Sequence, residues 1–179
     1  MVSKLLLEEI KTRWEMELQK YPAHIRGRFF AAAVVNTLND KIVSIGLNRV
    51  LMNSNPTNHA EIVALNNVFK LSSDVRLPEY FVMVSSHEPC MMCASAIMWS
   101  GIKNVEYVFS YEETKDLFSV EEDIIMLRNS CGIDHVKNSN LYNAQQIDDQ
   151  SFKNDLIEMY KKFYSEEDNN HLKEQYNLV

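Results

Sequence analysis

Apolar residues recur every three or four positions near the start of the chain, at Leu6, Ile10, Trp14 and Leu18. That spacing predicts an amphipathic helix from about Ser3 to Tyr21, closed by Pro22. The period then changes. Phe29 to Val35 is a short run of small and branched apolar residues, the pattern of a buried strand. Asn39-Asp40 marks a turn, and Lys41 to Leu47 alternates as the second strand of a hairpin. Asn53 to Asn58 reads as a loop. From His59 to Leu71 the helical period returns, with Ile62, Leu65 and Phe69 on one side. Tyr80 to Val84 predicts a third strand. Pro89 stands where a helix would begin and Gly101 where it would stop. Val105 to Phe109 predicts a fourth strand. Ser119-Val120-Glu121-Glu122 fits a capping box for a helix ending near Gly132. Ile133 to Val136 then predicts a short fifth strand. Ser151 to Tyr164 predicts a last helix, with Phe152, Leu156, Met159 and Phe163 on its apolar side.

Strands and helices alternate through the middle of the chain. This predicts the α/β class: a three-layer α/β/α sandwich around a mixed central sheet of about five strands. With 179 residues, the whole span 1–179 is expected to form one domain. The polar residues 165–179 are expected to be a loosely held tail. Two of the helices would start at chemically loaded residues, one at His59 and one at Cys90.

Composition narrows the setting. The longest apolar runs are too short to span a bilayer, so no membrane partner is expected. Met1-Val2-Ser3-Lys4 followed by Glu8-Glu9 lacks the apolar core of a signal peptide, and the expected location is the cytoplasm. The 18 basic and 25 acidic residues give a net charge of -7. With Lys and Arg scattered, this argues against an extended polynucleotide surface and toward a small substrate. A local basic patch inside an acidic total still leaves tRNA open. There are three cysteines, and two of them form a Cys-x-x-Cys. In a cytosolic chain that spacing points to metal or redox chemistry rather than a structural disulfide. Cys131 has no obvious partner and reads as a small buried or loop thiol.

The chemistry concentrates in His59-Ala60-Glu61 and Pro89-Cys90-Met91-Met92-Cys93. Zinc takes tetrahedral nitrogen and sulfur ligands, and a catalytic site leaves one position open. His59, Cys90 and Cys93 supply three protein ligands and leave that position free. At a helix start, both thiols of Cys90 and Cys93 can face one point, and the helix N-terminus favours thiolate. Glu61 would act as general acid and base. It would take a proton from the attacking water and pass it to a ring nitrogen and a leaving amine. As a plainer reading, Glu61 is a surface or capping carboxylate. Zinc knuckles and redox helices also carry Cys-x-x-Cys. A structural zinc site would need a fourth ligand, and His24, His87 and His135 are available, His87 being nearest in sequence. The redox reading leaves His59-Ala60-Glu61 without a purpose.

His-x-Glu followed by Pro-Cys-x-x-Cys is the arrangement of zinc-dependent nucleobase deaminases, and the flanks extend the match. Asn55-Pro56-Thr57-Asn58-His59-Ala60-Glu61-Ile62 and Ser86-His87-Glu88-Pro89-Cys90-Met91-Met92-Cys93 resemble the purine-deaminating branch of the cytidine deaminase superfamily. Within it, bacterial guanine deaminases and tRNA adenosine deaminases both match well. Ala96-Ile97-Met98-Trp99 is similar to the Ala-Ile-Tyr-Trp stretch of the former. The resemblance therefore implies conversion of guanine to xanthine plus ammonia as first choice. A tRNA adenosine deaminase or a cytosine or cytidine deaminase are the alternatives, and a structural-zinc scaffold is the remote one.

The resemblance further implies one Zn2+ per subunit, a homodimer, and a C-terminal segment exchanged with the partner subunit. Asn48 would hydrogen-bond the base, and Phe30 and Trp99 would line or cover its ring. The plainer readings are a turn for Asn48 and core packing for the two aromatics. Tyr176 is a candidate for reaching a neighbouring subunit. Glu121, Glu122 and Asp123 lie near the place of a base-reading acidic residue. The chain also departs from the family. Gly27-Arg28-Phe29-Phe30-Ala31 stands where Gly-Pro-Phe-Gly-Ala is expected, and Asp134 to Gln150 has no evident counterpart.

Overall fold

The computed structural model describes residues 2–71, 74–120 and 143–176. Helix α1 runs Lys4–Gln19, and the Ser3 side chain caps it by accepting from the Leu6 amide. Leu6, Ile10, Trp14 and Leu18 form its buried stripe, together with Leu7. A four-residue helix, α2 (Ala23–Arg26), follows Pro22. Strands β1 (Ala31–Asn36) and β2 (Lys41–Leu47) form the expected hairpin. They pair antiparallel, with Ala31 opposite Leu47. Short helix α3 (Val50–Asn53) and a loop lead into α4 (Ala60–Phe69), with His59 as the N-cap. Strand β3 (Phe81–His87) precedes α5 (Met91–Trp99), with Cys90 as the N-cap. Strand β4 (Asn104–Phe109) leads to α6 (Tyr111–Phe118).

The sheet has five strands in the order β2-β1-β3-β4-β5, where β5 is Asn143–Gln146. Strand β1 runs antiparallel to both neighbours, whereas β3, β4 and β5 are parallel. A mixed five-stranded sheet was expected, but β5 arises from a polar stretch that gives no apolar signal. The helix expected from Ser119 to Gly132 and the strand expected at Ile133–Val136 fall mainly outside the described residues. Ser119 itself is the left-handed C-cap of α6, with φ 55°. A capping box is formed by Ser110 and Glu113, at the other end of that helix, whereas Glu121 and Glu122 lie outside the described residues.

Helices cover both faces of the sheet. On one face, α1 and α7 (Gln150–Phe163) pack with Ala31, Ala33, Val35, Val82 and Val84. On the other, Ala60, Ala64 and Val68 of α4 and Ile97 of α5 pack on Ala32, Val34 and Met83. The buried stripe of α4 thus centres on its alanines, while Ile62 and Phe69 are half-buried. Strand β1 is covered on both faces, which explains its unbroken apolar run. The polar C-terminal stretch is helical rather than loose: α8 spans Glu166–Tyr176. Ser165 and Asp168 cap its start reciprocally, and Leu172 joins the core. No described helix is long and apolar enough to cross a membrane.

Candidate metal centre

Two helix starts converge. His59 and Cys90 are the N-caps of α4 and α5, both in extended backbone conformation, and Cys93 lies in the first turn of α5. One ligand atom from each of His59, Cys90 and Cys93 lies within 4.8 Å of the other two. Cys90 Sγ stands 3.6 Å from His59 Nδ1. Tetrahedral zinc with ordinary Zn–S and Zn–N bonds places such a pair roughly 3.6 Å apart. Both the donor set and the spacing therefore fit a zinc ion. The cysteines are free thiols rather than a disulfide. Cys93 donates a hydrogen bond to Cys90, and this, with the nearby His59, brings the Cys90 thiol down to about 4. Cys93 is correspondingly pushed up, as the proton-holding member of the pair.

Glu61 occupies the first turn of α4 and is only 6% exposed. Burial raises its carboxyl above the usual range, and the negative charge on Cys90 adds to that. It hydrogen-bonds to Cys93, so it touches the ligand group. Its Oε1 also accepts a hydrogen bond from Ser85 Oγ at 3.1 Å. Sequence reasoning missed Ser85, because a serine in an apolar strand carries no motif. Only the register of β3 against α4 reveals it.

His87 is not a fourth ligand. Its Nδ1 is 2.7 Å from Ser86 Oγ, and its ring lies among Phe30, Phe109 and Phe118. Among the described residues the ligand group holds three members. The side chain of His24 and all of His135 lie outside the described residues, as do Glu121, Glu122, Asp123, Cys131 and the side chain of Tyr176.

The expected base-lining residues divide. Asn48 is buried at 2% exposure, directly after β2. Its amide donates to the Phe30 carbonyl at 2.9 Å. Its Oδ1 accepts from the Val50 amide at 3.2 Å, so the turn role is real. Phe30 is half-buried, bridges both core clusters, and lies with its ring centroid 4.3 Å from that of His87. Backbone contacts thus bring Phe30 and Asn48 together beside the start of β1. Phe30 occupies the place of an expected glycine without a positive φ, so the backbone there needs no glycine. Trp99 stands apart. It is 79% exposed, at the far end of α5 from the ligands. It lies six positions after Cys93, about 9 Å along the helix axis. On this chain alone it is a surface residue.

Comparison with known proteins follows the same residues. The family model for the cytidine and deoxycytidylate deaminase zinc-binding region matches residues 12–109. The chain belongs to this family. A stretch of 76 residues is 38% identical to the tRNA-specific adenosine deaminase of Rickettsia bellii, covering 42% of this chain and 52% of that protein. The guanine deaminase of Bacillus subtilis is 31% identical over 87 residues, covering 49% of this chain and 54% of that one. The X-ray structure of guanine deaminase from Bacillus subtilis superposes with a TM-score of 0.59 at 27% identity, over 72% of this chain and 76% of its own. The fold is the cytidine deaminase-like α/β fold of this family. The chain spans about half the length of the curated relatives it matches.

Proposed function

We propose that the protein is a zinc-dependent hydrolytic deaminase of a nucleobase or nucleoside. The observation that carries this reading is Glu61, a buried carboxylate in contact with a three-ligand group built on two helix starts. His59, Cys90 and Cys93 would hold a zinc ion, which would supply Lewis acidity and make water nucleophilic near neutral pH. Glu61 accepts one proton from the attacking water and delivers it to the ring nitrogen, then carries the second, from the hydroxyl so formed on the ring carbon, to the departing amine. Water and the ring C–NH2 group become a ring carbonyl and ammonia. Burial suits Glu61 to this work, because a carboxyl raised above its usual range accepts a proton more readily than an exposed one. Asn48 and Phe30, joined by a backbone hydrogen bond, are the residues proposed to contact the base.

Guanine is the first substrate choice, supported by the likeness over most of the chain to a guanine deaminase structure and by the Ala96-Ile97-Met98-Trp99 stretch. The second reading is adenosine in tRNA, favoured by the 38% identity to a tRNA-specific adenosine deaminase. Ammonia release from guanine, adenosine, cytosine, cytidine and tRNA separates these. Guanine yielding xanthine supports the first choice, and turnover confined to tRNA supports the second. Glu61→Gln is expected to abolish turnover while one zinc per chain remains bound. Near-full turnover in that variant would overturn the mechanism.

The homodimer is proposed to form through α5. This helix, Met91–Trp99, carries no charged residue although Met91, Met92 and Met98 are half-buried and Ser95 and Trp99 are exposed. A surface helix without a charged face is the kind a partner covers. Trp99→Glu is expected to shift the protein to monomer in light scattering, and an unchanged mass would exclude this face.

A further inference from the structure

Two side chains can donate to Glu61 among the described residues: Ser85 Oγ, at 3.1 Å, and the Cys93 thiol, whose single proton is shared with Cys90. Cys93 cannot remain one of them in a metal-loaded site. A cysteine that ligates zinc does so as thiolate, with no proton left to give. Ser85 is different. It is 2% exposed and sits in the middle of the sheet, paired with Ala32 of β1 on one side and Tyr107 of β4 on the other. Its backbone is therefore held from both sides, and its hydroxyl reaches Glu61 Oε1 at 3.1 Å. A carboxylate that moves protons needs one oxygen presented to the reacting atoms and can be anchored by the other. At 6% exposure Glu61 has little water to fix its rotamer.

We propose that Ser85 is a positioning residue. Its hydroxyl anchors Glu61 Oε1, turns Oε2 toward the ligand group, and becomes the remaining side-chain anchor once Cys93 is ligated. The kinetic consequence rests on the deaminase reading above, whereas the contact itself does not.

The test compares Ser85→Ala, Ser85→Thr and Ser85→Val in the zinc-loaded full chain. Threonine and valine have the same shape and differ in the hydroxyl, and alanine fits wherever serine does. On the substrate that the wild type turns over, kcat is expected to fall about tenfold in Ser85→Ala and Ser85→Val. KM should stay within about twofold, and zinc content should stay unchanged. Ser85→Thr should keep most of kcat. A second readout needs no substrate. In protein labelled with 13C at the glutamate carboxyls, the Glu61 resonance is assigned by its loss in Glu61→Gln. It is expected to shift in Ser85→Ala and Ser85→Val but not in Ser85→Thr, and to shift more with zinc than without. An unmoved resonance in Ser85→Ala, or equal kcat in Ser85→Val and Ser85→Thr, overturns the proposal. If the wild type deaminates nothing, the proposed function fails, and the resonance still decides whether Ser85 holds Glu61.

Discussion

His87 shows how much one side chain's surroundings decide. The Ala31 amide donates to Ser86 Oγ at 2.9 Å, and the same oxygen lies 2.7 Å from His87 Nδ1. The other ring nitrogen, Nε2, is buried with no hydrogen-bond partner among the described residues. Burial pushes the imidazole down to about 3, from an ordinary value of 6.5. The folded protein therefore keeps His87 neutral where the unfolded chain protonates. Folding stability is fully present above about 6.5 and declines as pH falls toward 3, by up to about 1.4 kcal/mol per pH unit. Urea midpoints at pH 7, 6 and 5 are expected to fall for the wild type and to fall less for His87→Phe. That variant fills the aromatic box without a titrating nitrogen, and identical pH slopes in the two proteins would refute this account. In the sequence His87 stands out as a candidate ligand, because position alone cannot show which way a ring points. Glu61, by contrast, was legible from its place two residues after His59.

At the scale of elements, the site depends on how closely α4 lies on β2. Ser44 Oγ donates to the Ala64 carbonyl at 2.8 Å, and Asn67 Nδ2 donates to the Ile45 carbonyl at 2.9 Å. Gly46 makes the approach possible: a Cβ there would meet the Ala60 carbonyl oxygen at 2.1 Å and the Ala64 nitrogen at 2.5 Å. Both are backbone atoms, so the helix itself would have to move. Gly46→Ala is expected to destabilise by about 2–3 kcal/mol. It should also weaken zinc binding, because Ala60 lies between His59 and Glu61. Chemical denaturation and a zinc titration check both effects. An unchanged zinc affinity would separate helix placement from the ligand group. Elements with a strong apolar period were legible, α1, the β1–β2 hairpin and α7 above all. Helix α6 was missed because it is short and its cap, Ser110, follows a strand without a break. Strand β5, Asn-Ala-Gln-Gln, was missed because its signal is main-chain pairing with β4 rather than side-chain pattern. The tail became α8 for a readable reason, the Ser165–Asp168 cap, which its polarity obscured.

For the whole molecule, the ligand group joins separate stretches of chain. A zinc ion present at about a thousand times its dissociation constant stabilises the folded state by about 4 kcal/mol. Chelation is therefore expected to lower the melting temperature, and readdition of zinc to restore it. An unchanged melting temperature would mean that the ligands do not hold metal in the folded protein. The location of that stabilisation follows from chain connectivity. His59 and Cys90 are 31 positions apart, and a cross-link closing a loop of that size is worth roughly 3–4 kcal/mol in chain entropy. The ion would act as a removable staple between the hairpin with its helix α4 and the β3–α5 unit. Amide exchange in α4 and α5 should then slow on zinc loading far more than in α1 and α7. Metal supply would set not only whether the site can work but whether this seam of the molecule stays shut.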